Sequence, residues 1–447
     1  MITLDTLNSV FNAKTVAVVG ASNNPDKTGY QVLKNIIDGG YQGRIYPINP
    51  KAEEILGVRC YQSMLDVPED IDLVVVIVPA KFVPDTMRDA AAKHAKGAVI
   101  ISGGFREIGN VELEAEVMAI ANENDIAVIG PNCQGLNYTP NKLCATWPLL
   151  TQRGAMAVIA QSGTIGAAMG GWAEDDKIGF TAVLALGNKS GIGEIELLKF
   201  FTADEATKVI ALNIEGVKDG QEFIQVAKAA LAKKPVVILK PGRTKKGAEA
   251  AQSHTKSIAG SDKVFDAVCR QIGLIRAEGI VEFYDYAKIL GLLEKPKGNR
   301  IMVITSSGGS GILAADVAED LGIRIEKLET PIAEELKAIL PNQCVVANPL
   351  DLTGDATAER YRQALQVAVK AQDVDAYLVI FGDPIEDAAS VVKEIKQLTD
   401  KPLLVAFLGG GEVEKREVLL MNEAGIPAFP TPERAVRALG ALLRKKE

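Results

Sequence analysis

The chain has 447 residues, of which 47% are hydrophobic and 24% are charged, and its formal net charge is −8. This length is sufficient for about three domains of ordinary size, each with its own core. The negative charge, the absence of a long basic run and the low aromatic content of 5% argue against a nucleic-acid partner. No apolar run reaches the ~18 residues of a membrane span, so we expect a cytoplasmic protein with no membrane partner.

The cysteines show neither a CxxC pair nor the spacing of metal ligands. They lie mostly in apolar stretches, which is typical of reduced core cysteines. We therefore predict no metal site and no disulfide. The five residues are Cys60, Cys133, Cys144, Cys269 and Cys344.

Short runs rich in valine and isoleucine alternate with helix-period segments along the whole chain. Because the runs do not alternate polar and apolar residues, they predict strands buried on both faces. Strands that alternate with helices predict doubly wound α/β domains with parallel sheets. The predicted strands are Thr15–Val19, Leu73–Val78, Ala98–Ile101, Ala127–Ile129, Ala155–Ile159, Val209–Ile214, Val236–Leu239, Ile301–Ile304, Tyr377–Phe381 and Leu403–Phe407.

Two proline-containing polar segments, Tyr138–Arg153 and Glu294–Arg300, predict linkers. They divide the chain into domains of residues 1–140, 150–292 and 298–447. The last two domains have similar segments in the same order: AVIAQSGTIG at Ala157–Gly166 matches MVITSSGGSG at Met302–Gly311, and KPVVIL is later matched by KPLLVA. Two matches in one order favour duplication of a single α/β unit.

The first strand ends in Gly20, Ala21 and Ser22, and a helix is predicted from about Tyr30. Ligands of doubly wound sheets bind at the carboxyl ends of the strands. The turn is longer than a GxGxxG turn and lacks its glycine spacing, so an NAD-type pyrophosphate turn is not predicted. The loop instead offers Ser22 and Lys27 to phosphate oxygens.

Other strands end in similar turns, and we expect these turns to meet at one edge of the sheet. Ordinary turn chemistry is the alternative explanation for any single turn. All of them together, without an acidic residue placed for a ribose diol, favour a phosphorylated ligand other than NAD. The candidate residues of these turns are Asn49, Lys51, Val78, Pro79, Ser102, Gly103, Asn132 and Cys133.

The set of motifs resembles the CoA-binding domain of ADP-forming acyl-CoA synthetases, which are relatives of succinyl-CoA synthetase. The motifs are Gly20–Ser22 with Lys27 and Gly29, Tyr46–Pro50, Val78–Ala80, Gly103–Phe105 with Glu107, and Gly130–Gly135. The resemblance covers essentially the whole chain. It implies a Rossmann-like CoA-binding domain followed by two flavodoxin-like, parallel-sheet ligase domains. It also implies that coenzyme A binds along Gly20, Ala21, Ser22, Lys27, Asn49, Lys51, Val78, Pro79, Ser102, Gly103, Asn132 and Cys133.

The two histidines of the chain have different surroundings. His94 is predicted to lie at a solvated helix end. His254 lies in a small, polar stretch next to several cationic residues, and an exposed loop is the simpler explanation. A mobile nucleophile is the chemical alternative, because neutral imidazole attacks phosphoryl groups well near neutral pH. Ser253 and Thr255 suit the start of a helix whose amides would face a phosphate.

A second candidate anion site is the strand-to-helix turn Gln161–Gly166. Glu215 follows the strand Val209–Ile214 and would accept the second N–H of the imidazole, although a plain surface carboxylate is the alternative. The family resemblance implies that His254 is a phosphohistidine supported by Glu215. It also implies that Gln161, Ser162, Gly163, Thr164 and Thr255 cradle phosphate and acyl phosphate.

Two features leave their roles open. Gly187–Ser190 resembles a family motif that usually continues with an acidic residue, but Gly191 stands at that position. The C-terminal copy contains Ser306–Gly311 but no histidine, so a scaffold or subunit-docking role is expected for it.

The sequence contains no GxxxxGK[ST] loop and no recognisable ATP-grasp domain. We therefore expect ADP or ATP with Mg²⁺ on a partner, which the resemblance implies is an ATP-grasp β subunit in an α2β2 assembly. The implied reaction converts acetyl-CoA, ADP and phosphate reversibly into acetate, CoA and ATP, through acetyl phosphate and phospho-His254.

Two other functions remain open at this stage. One is a non-enzymatic CoA-binding regulatory protein, and the other is an NAD(P)-dependent oxidoreductase. The sequence does not fix the acid, for which acetate is the default.

Overall fold

The computed structural model describes the backbone of residues 2–255 and 261–444 and the side chains of residues 2–250 and 261–444. The chain forms α/β layers around parallel sheets, as predicted. Its contacts define two compact units. The first unit contains the chain up to Asp175 together with Gly179–Arg276, and the second contains Asp176–Ile178 and the chain from Ala277 onwards. The predicted three-domain boundaries, 1–140, 150–292 and 298–447, stay a prediction.

The first sheet of the first unit has five parallel strands in the order β2-β1-β5-β6-β7. Its central strands are fully buried runs of valine and isoleucine, and helices cover both faces. The strands are β1 Thr15–Val19, β2 Arg44–Ile48, β5 Leu73–Val76, β6 Gly97–Ile100 and β7 Ala127–Ile129, with a small hairpin of β3 Glu54–Ile55 and β4 Val58–Arg59. The helices are α1 Leu4–Phe11, α2 Thr28–Asp38, α3 Val83–Ala92 and α4 Val111–Glu123.

The second sheet of this unit has seven strands in the order β14-β13-β12-β10-β11-β8-β9. Its strands are β8 Gly135–Tyr138, β9 Leu143–Thr146, β10 Arg153–Ala160, β11 Phe180–Ala185, β12 Val209–Asn213, β13 Val236–Leu239 and β14 Ile275–Ala277. Its helices are α5 Gly163–Asp175, α6 Glu194–Ala203, α7 Gly220–Leu231, α8 Lys245–Thr255 and α9 Asp262–Ile272.

The linker predicted over Tyr138–Arg153 is wrong where it contains β9. Strands β8 and β9 form an antiparallel hairpin that pairs with β11, so this sheet is not parallel throughout. The apolar residues of β9 are buried in the hairpin, and the polar residues and prolines on either side of them concealed the strand. The Nδ2 atom of Asn35 also binds the carbonyl oxygens of Thr146 and Trp147, at 2.8 and 2.7 Å.

The second unit contains a five-stranded parallel sheet in the order β16-β15-β17-β18-β19. Its strands are β15 Ile301–Thr305, β16 Leu350–Asp351, β17 Ala376–Phe381, β18 Leu403–Phe407 and β19 Ala428–Phe429. Its helices are α10 Ile280–Leu292, α11 Gly308–Asp320, α12 Thr330–Ile339, α13 Ala358–Ala368, α14 Ala388–Lys396, α15 Gly411–Glu423 and α16 Pro432–Leu443.

The strand order of this sheet supports the predicted duplication. The run β11-β10-β12-β13-β14 of the second sheet and the run β16-β15-β17-β18-β19 both have the order 2-1-3-4-5 in the chain. In both sheets the first of the five strands in the chain is followed by the Ser-Gly sequence and then by a helix, α5 in one sheet and α11 in the other.

Helices α10 and α16 of the second unit are joined by a buried ion pair. The guanidinium of Arg434 binds both carboxylate oxygens of Asp285, each at 2.8 Å, and Asp285 is only 3% exposed. Burial raises the pKa of Asp285, and the contact with Arg434 opposes that rise. The ion pair therefore offsets the cost of burying this carboxylate.

We predict that Arg434→Met destabilises the protein by about 3 kcal/mol at neutral pH, because it leaves a buried charge without its counter-ion. The folded-state pKa of Asp285 would rise further, so the loss should shrink as the pH is lowered and the carboxylate becomes protonated. Urea unfolding at several pH values measures both effects. The control is Arg324→Met, which removes an exposed pair with Glu326 and should have little effect. A loss independent of pH would contradict this explanation.

Candidate active site

The turns after the strands of the first sheet meet at one edge. Asn49 donates from Nδ2 to the carbonyl of Ala21 (2.7 Å), and the hydroxyl of Ser102 donates to the carbonyl of Val78 (2.5 Å). The Asn132 N–H in turn donates to the carbonyl of Ser102 (3.0 Å). The structure thus brings the candidate turns together, and the roles of Gly20, Ala21, Ser22, Lys27, Asn49, Lys51, Val78, Pro79, Ser102, Gly103, Asn132 and Cys133 in binding CoA stay predictions.

The first turn has the close backbone packing that a phosphate-bearing ligand requires. Gly20 has φ +95°, and a Cβ atom there would lie 2.6 Å from the carbonyl oxygen of Ile77. A Cβ atom on Gly29 would lie 2.0 Å from the carbonyl oxygen of Gly20, so α2 starts directly against the turn. Lys27 is exposed at the N-cap of α2, where a phosphate would also face the helix dipole.

Cys133 contributes to this edge through its position, not through thiol chemistry. Its side chain is buried, and its thiol donates to the carbonyl of Ile100 at 3.3 Å. Burial raises the pKa of the Cys133 thiol to about 12. The thiol is therefore protonated at neutral pH and is not a nucleophile.

A pocket of about 500 Å³ lies between this edge and the second sheet. Both sheets belong to the first unit. The walls of the pocket contain the predicted anion turn, the predicted supporting residue Glu215, and Asn132 and Cys133 from the candidate CoA-binding edge. The lining residues are Ile101, Arg106, Glu107, Asn132, Cys133, Gln134, Trp147, Gln161, Ser162, Gly163, Thr164, Gly187, Asn188 and Glu215.

The anion turn lies where β10 meets α5. Because the 13-residue helix α5 begins at Gly163, the N–H groups of Gly163 and Thr164 lie in its first turn, where no earlier helical carbonyl accepts from them. The Gln161 N–H donates to the carbonyl of Asn213 (2.8 Å), and its side-chain oxygen accepts from the Glu215 N–H (3.0 Å). Gln161 therefore joins the anion turn to the segment that carries Glu215. A phosphate at Ser162–Thr164 would face helix amides with Glu215 in the same pocket.

The region around His254 differs from the prediction. The structure describes helix α8 over Lys245–Thr255, so Ser253, His254 and Thr255 follow two helical turns and do not lie at a helix start. The helix begins after Thr244, whose hydroxyl accepts from the Gly247 N–H at 3.1 Å. The side chains of His254 and Thr255 lie outside the described residues, so their roles stay predictions. His94 is exposed, as expected, and its Nδ1 lies 3.1 Å from an oxygen of Asp70.

The loop after β11 packs against the end of β7. The N–H groups of Asn188, Ser190 and Ile192 donate to the carbonyls of Pro131 (2.9 Å), Gly130 (3.1 Å) and Val128 (2.9 Å). This backbone pairing holds the loop along the edge of the first sheet. We call residues Gly187–Ile192 the bridging loop.

The close approach of the neighbouring backbone explains why residue 191 is a glycine. A Cβ atom there would lie 2.2 Å from the carbonyl oxygen of Val128, and one on Gly187, which has φ +56°, would lie 2.2 Å from the carbonyl oxygen of Asn132. An acidic side chain at position 191, as in the resembling motif, does not fit this backbone. The departure from the family motif therefore follows from the close approach of the loop to β7.

Sequence reasoning named Glu107 and Asn188 only as parts of motifs, and it missed the contacts that join them to Glu114 around this loop. Asn188 donates from Nδ2 to Glu107 (2.7 Å) and to the buried Glu114 (2.9 Å), and Glu114 also pairs with Arg106. Burial favours a higher pKa for Glu107, but hydrogen bonds from Asn188 and from the amides of Gly104 and Phe105 outweigh it, so the pKa is lowered. Glu114 is one of several glutamates in α4, and no sequence signal distinguishes it from the others.

The corresponding turn of the second unit is closed by a carboxylate. A Cβ atom on Gly308, at the start of α11, would lie 2.8 Å from Oδ2 of Asp351, and the other oxygen of Asp351 accepts from the Thr353 N–H at 2.8 Å. Ser307 caps the helix by accepting from the Ser310 N–H. An internal anion therefore lies where a phosphate would approach, which agrees with a non-catalytic role for this copy.

The described part of the chain contains neither a group of metal ligands nor a membrane-spanning helix. Among the described side chains, those of residues 2–250 and 261–444, no three of His, Cys, Asp or Glu form a group that would hold a metal ion. None of the helices in that part of the chain has the length and apolar character of a membrane span.

Comparison with known families gives matches along nearly the whole chain. Residues 14–139 match a CoA binding domain, residues 153–290 a succinyl-CoA ligase-like flavodoxin domain, and residues 301–446 a Ligase-CoA domain. The chain is 42% identical to the α subunit of acetate–CoA ligase (ADP-forming) I of Pyrococcus furiosus, over 98% of this chain and 97% of that one. This chain belongs to the family of ADP-forming acetate–CoA ligases.

Other members of the ligase family support the assignment. The acetate–CoA ligase (ADP-forming) of Methanocaldococcus jannaschii is also 42% identical over 96% of this chain, which spans only 62% of that longer protein. The structure of acetyl-coenzyme A synthetase 1 from Candidatus Korarchaeum cryptofilum, in complex with phosphate and ADP, has a TM-score of 0.92 at 38% identity and covers 99% of this chain and 96% of that chain. These findings confirm the predicted family, fold and ligase class, and they do not support the regulatory-protein or oxidoreductase alternatives.

The requirement for glycine at position 191 of the bridging loop can be tested with a pair of glycine variants. We predict that Gly191→Ala destabilises the protein by about 1–3 kcal/mol, because the loop must move away from β7, and that it lowers activity. The matched control is Gly171→Ala in α5, where no atom lies within 4 Å of the added Cβ and a small stabilisation is expected. Urea unfolding of both variants gives the comparison, and equal stabilities would contradict the argument.

Proposed function

We propose that this chain is the CoA-binding, phosphohistidine-carrying α subunit of an ADP-forming acetate–CoA ligase. The observation that carries the proposal is the pocket in which the CoA-binding edge, the anion turn and Glu215 share one space. A thioester bound along the edge of the first sheet would reach a phosphate held at Ser162–Thr164. The first sheet alone offers the edge for the thioester, and the second sheet alone offers the turn for phosphate, so the reaction needs both.

The first step joins phosphate to the acetyl group. A phosphate oxygen attacks the thioester carbonyl of acetyl-CoA, and the C–S bond breaks with release of CoA as thiolate, which leaves acetyl phosphate. The amides at the start of α5 stabilise the anionic oxygens of phosphate and acetyl phosphate. Arg106 also lies in the wall of the pocket, where its guanidinium pairs with the buried Glu114.

The second step moves the phosphoryl group onto the protein. An imidazole nitrogen of His254 attacks phosphorus, and the P–O bond to acetate breaks. Glu215 accepts the N–H of the other ring nitrogen, fixes the tautomer and stabilises the phosphorylated ring. The covalent intermediate divides the overall transfer into two easier steps. Because His254 lies on α8, the proposal requires that this residue move between the pocket and the nucleotide.

The third step needs a nucleotide site on a partner. ADP accepts the phosphoryl group from His254, and a bound Mg²⁺ would neutralise the phosphate charges. We propose that an ATP-grasp β subunit supplies this site in an α2β2 assembly within the cytoplasm. Two relatives support a partner subunit: the protein from Pyrococcus furiosus is named as an α subunit, and this chain spans 62% of the ligase from Methanocaldococcus jannaschii.

The direct test is phosphoenzyme formation from acetyl-CoA and ³²P-labelled phosphate. We predict an acid-labile, base-stable label on the wild-type chain, loss of the label to background in His254→Ala, and a labelling rate about 10- to 100-fold lower in Glu215→Gln. The control is His94→Ala, which removes the exposed histidine near Asp70 and should label like the wild type. Labelling that survives in His254→Ala would overturn the assignment of the nucleophile.

A further inference from the structure

The bridging loop points successive side chains to opposite sides. Asn188 and Ser190 face the first sheet, where they bind Glu107 (2.7 Å) and Glu114 (2.5 Å). Lys189, which lies between them with φ +54°, faces the segment after β12. The loop therefore contacts both walls of the pocket at once.

Lys189 makes its contacts in a buried place. It is 6% exposed, and its ammonium lies 2.7 Å from the carbonyl oxygen of Gly216 and 2.7 Å from a carboxylate oxygen of Glu194. The ammonium of Lys218 donates to the carbonyl of Lys189 at 3.0 Å. A buried ammonium is costly unless it is paired and hydrogen-bonded, and here both conditions are met.

The contact with Gly216 matters because of the residue before it. The Glu215 N–H donates to the side chain of Gln161 at 3.0 Å, and Lys189 holds the carbonyl of the following residue. No atom lies within 4 Å of the Cβ position of Gly216, so packing at that position does not fix this glycine. Gln161 and Lys189 thus hold the backbone on both sides of Glu215.

We infer that Lys189 is a positioning residue for Glu215: it holds the Glu215–Gly216 segment against the bridging loop and so keeps the carboxylate in register with the CoA-binding edge. This inference rests on the proposed role of Glu215 in supporting phosphohistidine. It assigns a role to the loop motif that family resemblance left unexplained.

The first experiment measures the holoenzyme, assembled with its nucleotide-binding partner, carrying Lys189→Met. We expect kcat to fall about 10- to 100-fold, the usual loss for a residue that orients a functional side chain. The loss should be the same with acetyl phosphate as phosphoryl donor, because that donor bypasses CoA. Lys189→Arg should recover most of the rate. The matched control is Lys199→Met. Lys199 lies on the same helix as Glu194 and forms an exposed pair with Glu222, so its loss should leave kcat unchanged.

The deciding experiment is a double-mutant cycle with Glu215→Gln. If Lys189 acts through Glu215, the double variant is no slower than Glu215→Gln alone. Losses that multiply, or a Lys189→Met loss confined to acetyl-CoA, would overturn the inference. Lys189→Met is also combined with Glu194→Gln, which removes the buried counter-charge, so that a loss of stability is separated from a loss of positioning. A wild-type enzyme that forms no phosphohistidine would instead reject the proposed function, which separates the two failures.

Discussion

The pocket depends on a close approach between two backbones. Strand β7 ends the first sheet, and the bridging loop lies against it with three N–H···O contacts whose spacing resembles strand pairing. Side chains larger than hydrogen at Gly187 or Gly191 would push the two apart. Because of this contact, the CoA-binding edge and the anion turn form the two walls of one rigid pocket, as positioning of two reactants requires.

The carboxylates of Glu107 and Glu114 near the pocket are held by hydrogen bonds within its wall. Glu114 is shared by Arg106, Asn188 and Ser190, and hydrogen bonds lower the pKa of Glu107, so both are bound within the protein wall. Burial lowers the pKa of Lys218, and the charges of Lys189 and Arg106 lower it further, which shows how closely the cations are placed. A phosphate at Ser162–Thr164 would meet the amides at the start of α5, while Glu107 and Glu114 are held by partners in the opposite wall.

The sequence was informative where one physical signal dominates. All ten predicted strands are present because continuous apolar runs need burial on both faces, whichever neighbours supply it. The strands that escaped prediction are mostly edge strands, such as β2, which contains Pro47, and β9 of the β8–β9 hairpin. Helix α8 was misjudged because its small residues suggested a loop, although alanine is the strongest helix former.

The candidate site was predicted only in part, for the same reason. Turns at strand ends share an edge by topology, so Asn49, Ser102 and Asn132 could be grouped before any coordinates. The contacts of Asn188 with Glu107 and Glu114 join residues 81 and 74 positions apart, and no local pattern announces such pairs. Sequence reasoning therefore found the residues that topology brings together and missed those that only packing brings together.

The two copies of the α/β unit show how little separates a reaction site from a scaffold. Both have the same strand order, and both place a Ser-Gly turn before a helix. In the second unit, Asp351 directs its carboxylate at the first residue of that helix, and a free phosphate would meet a fixed negative charge there. In the first unit the same position opens into a pocket whose far wall is the CoA-binding edge. The duplicated fold supplies the turn, and the neighbouring residues decide whether an anion can enter it.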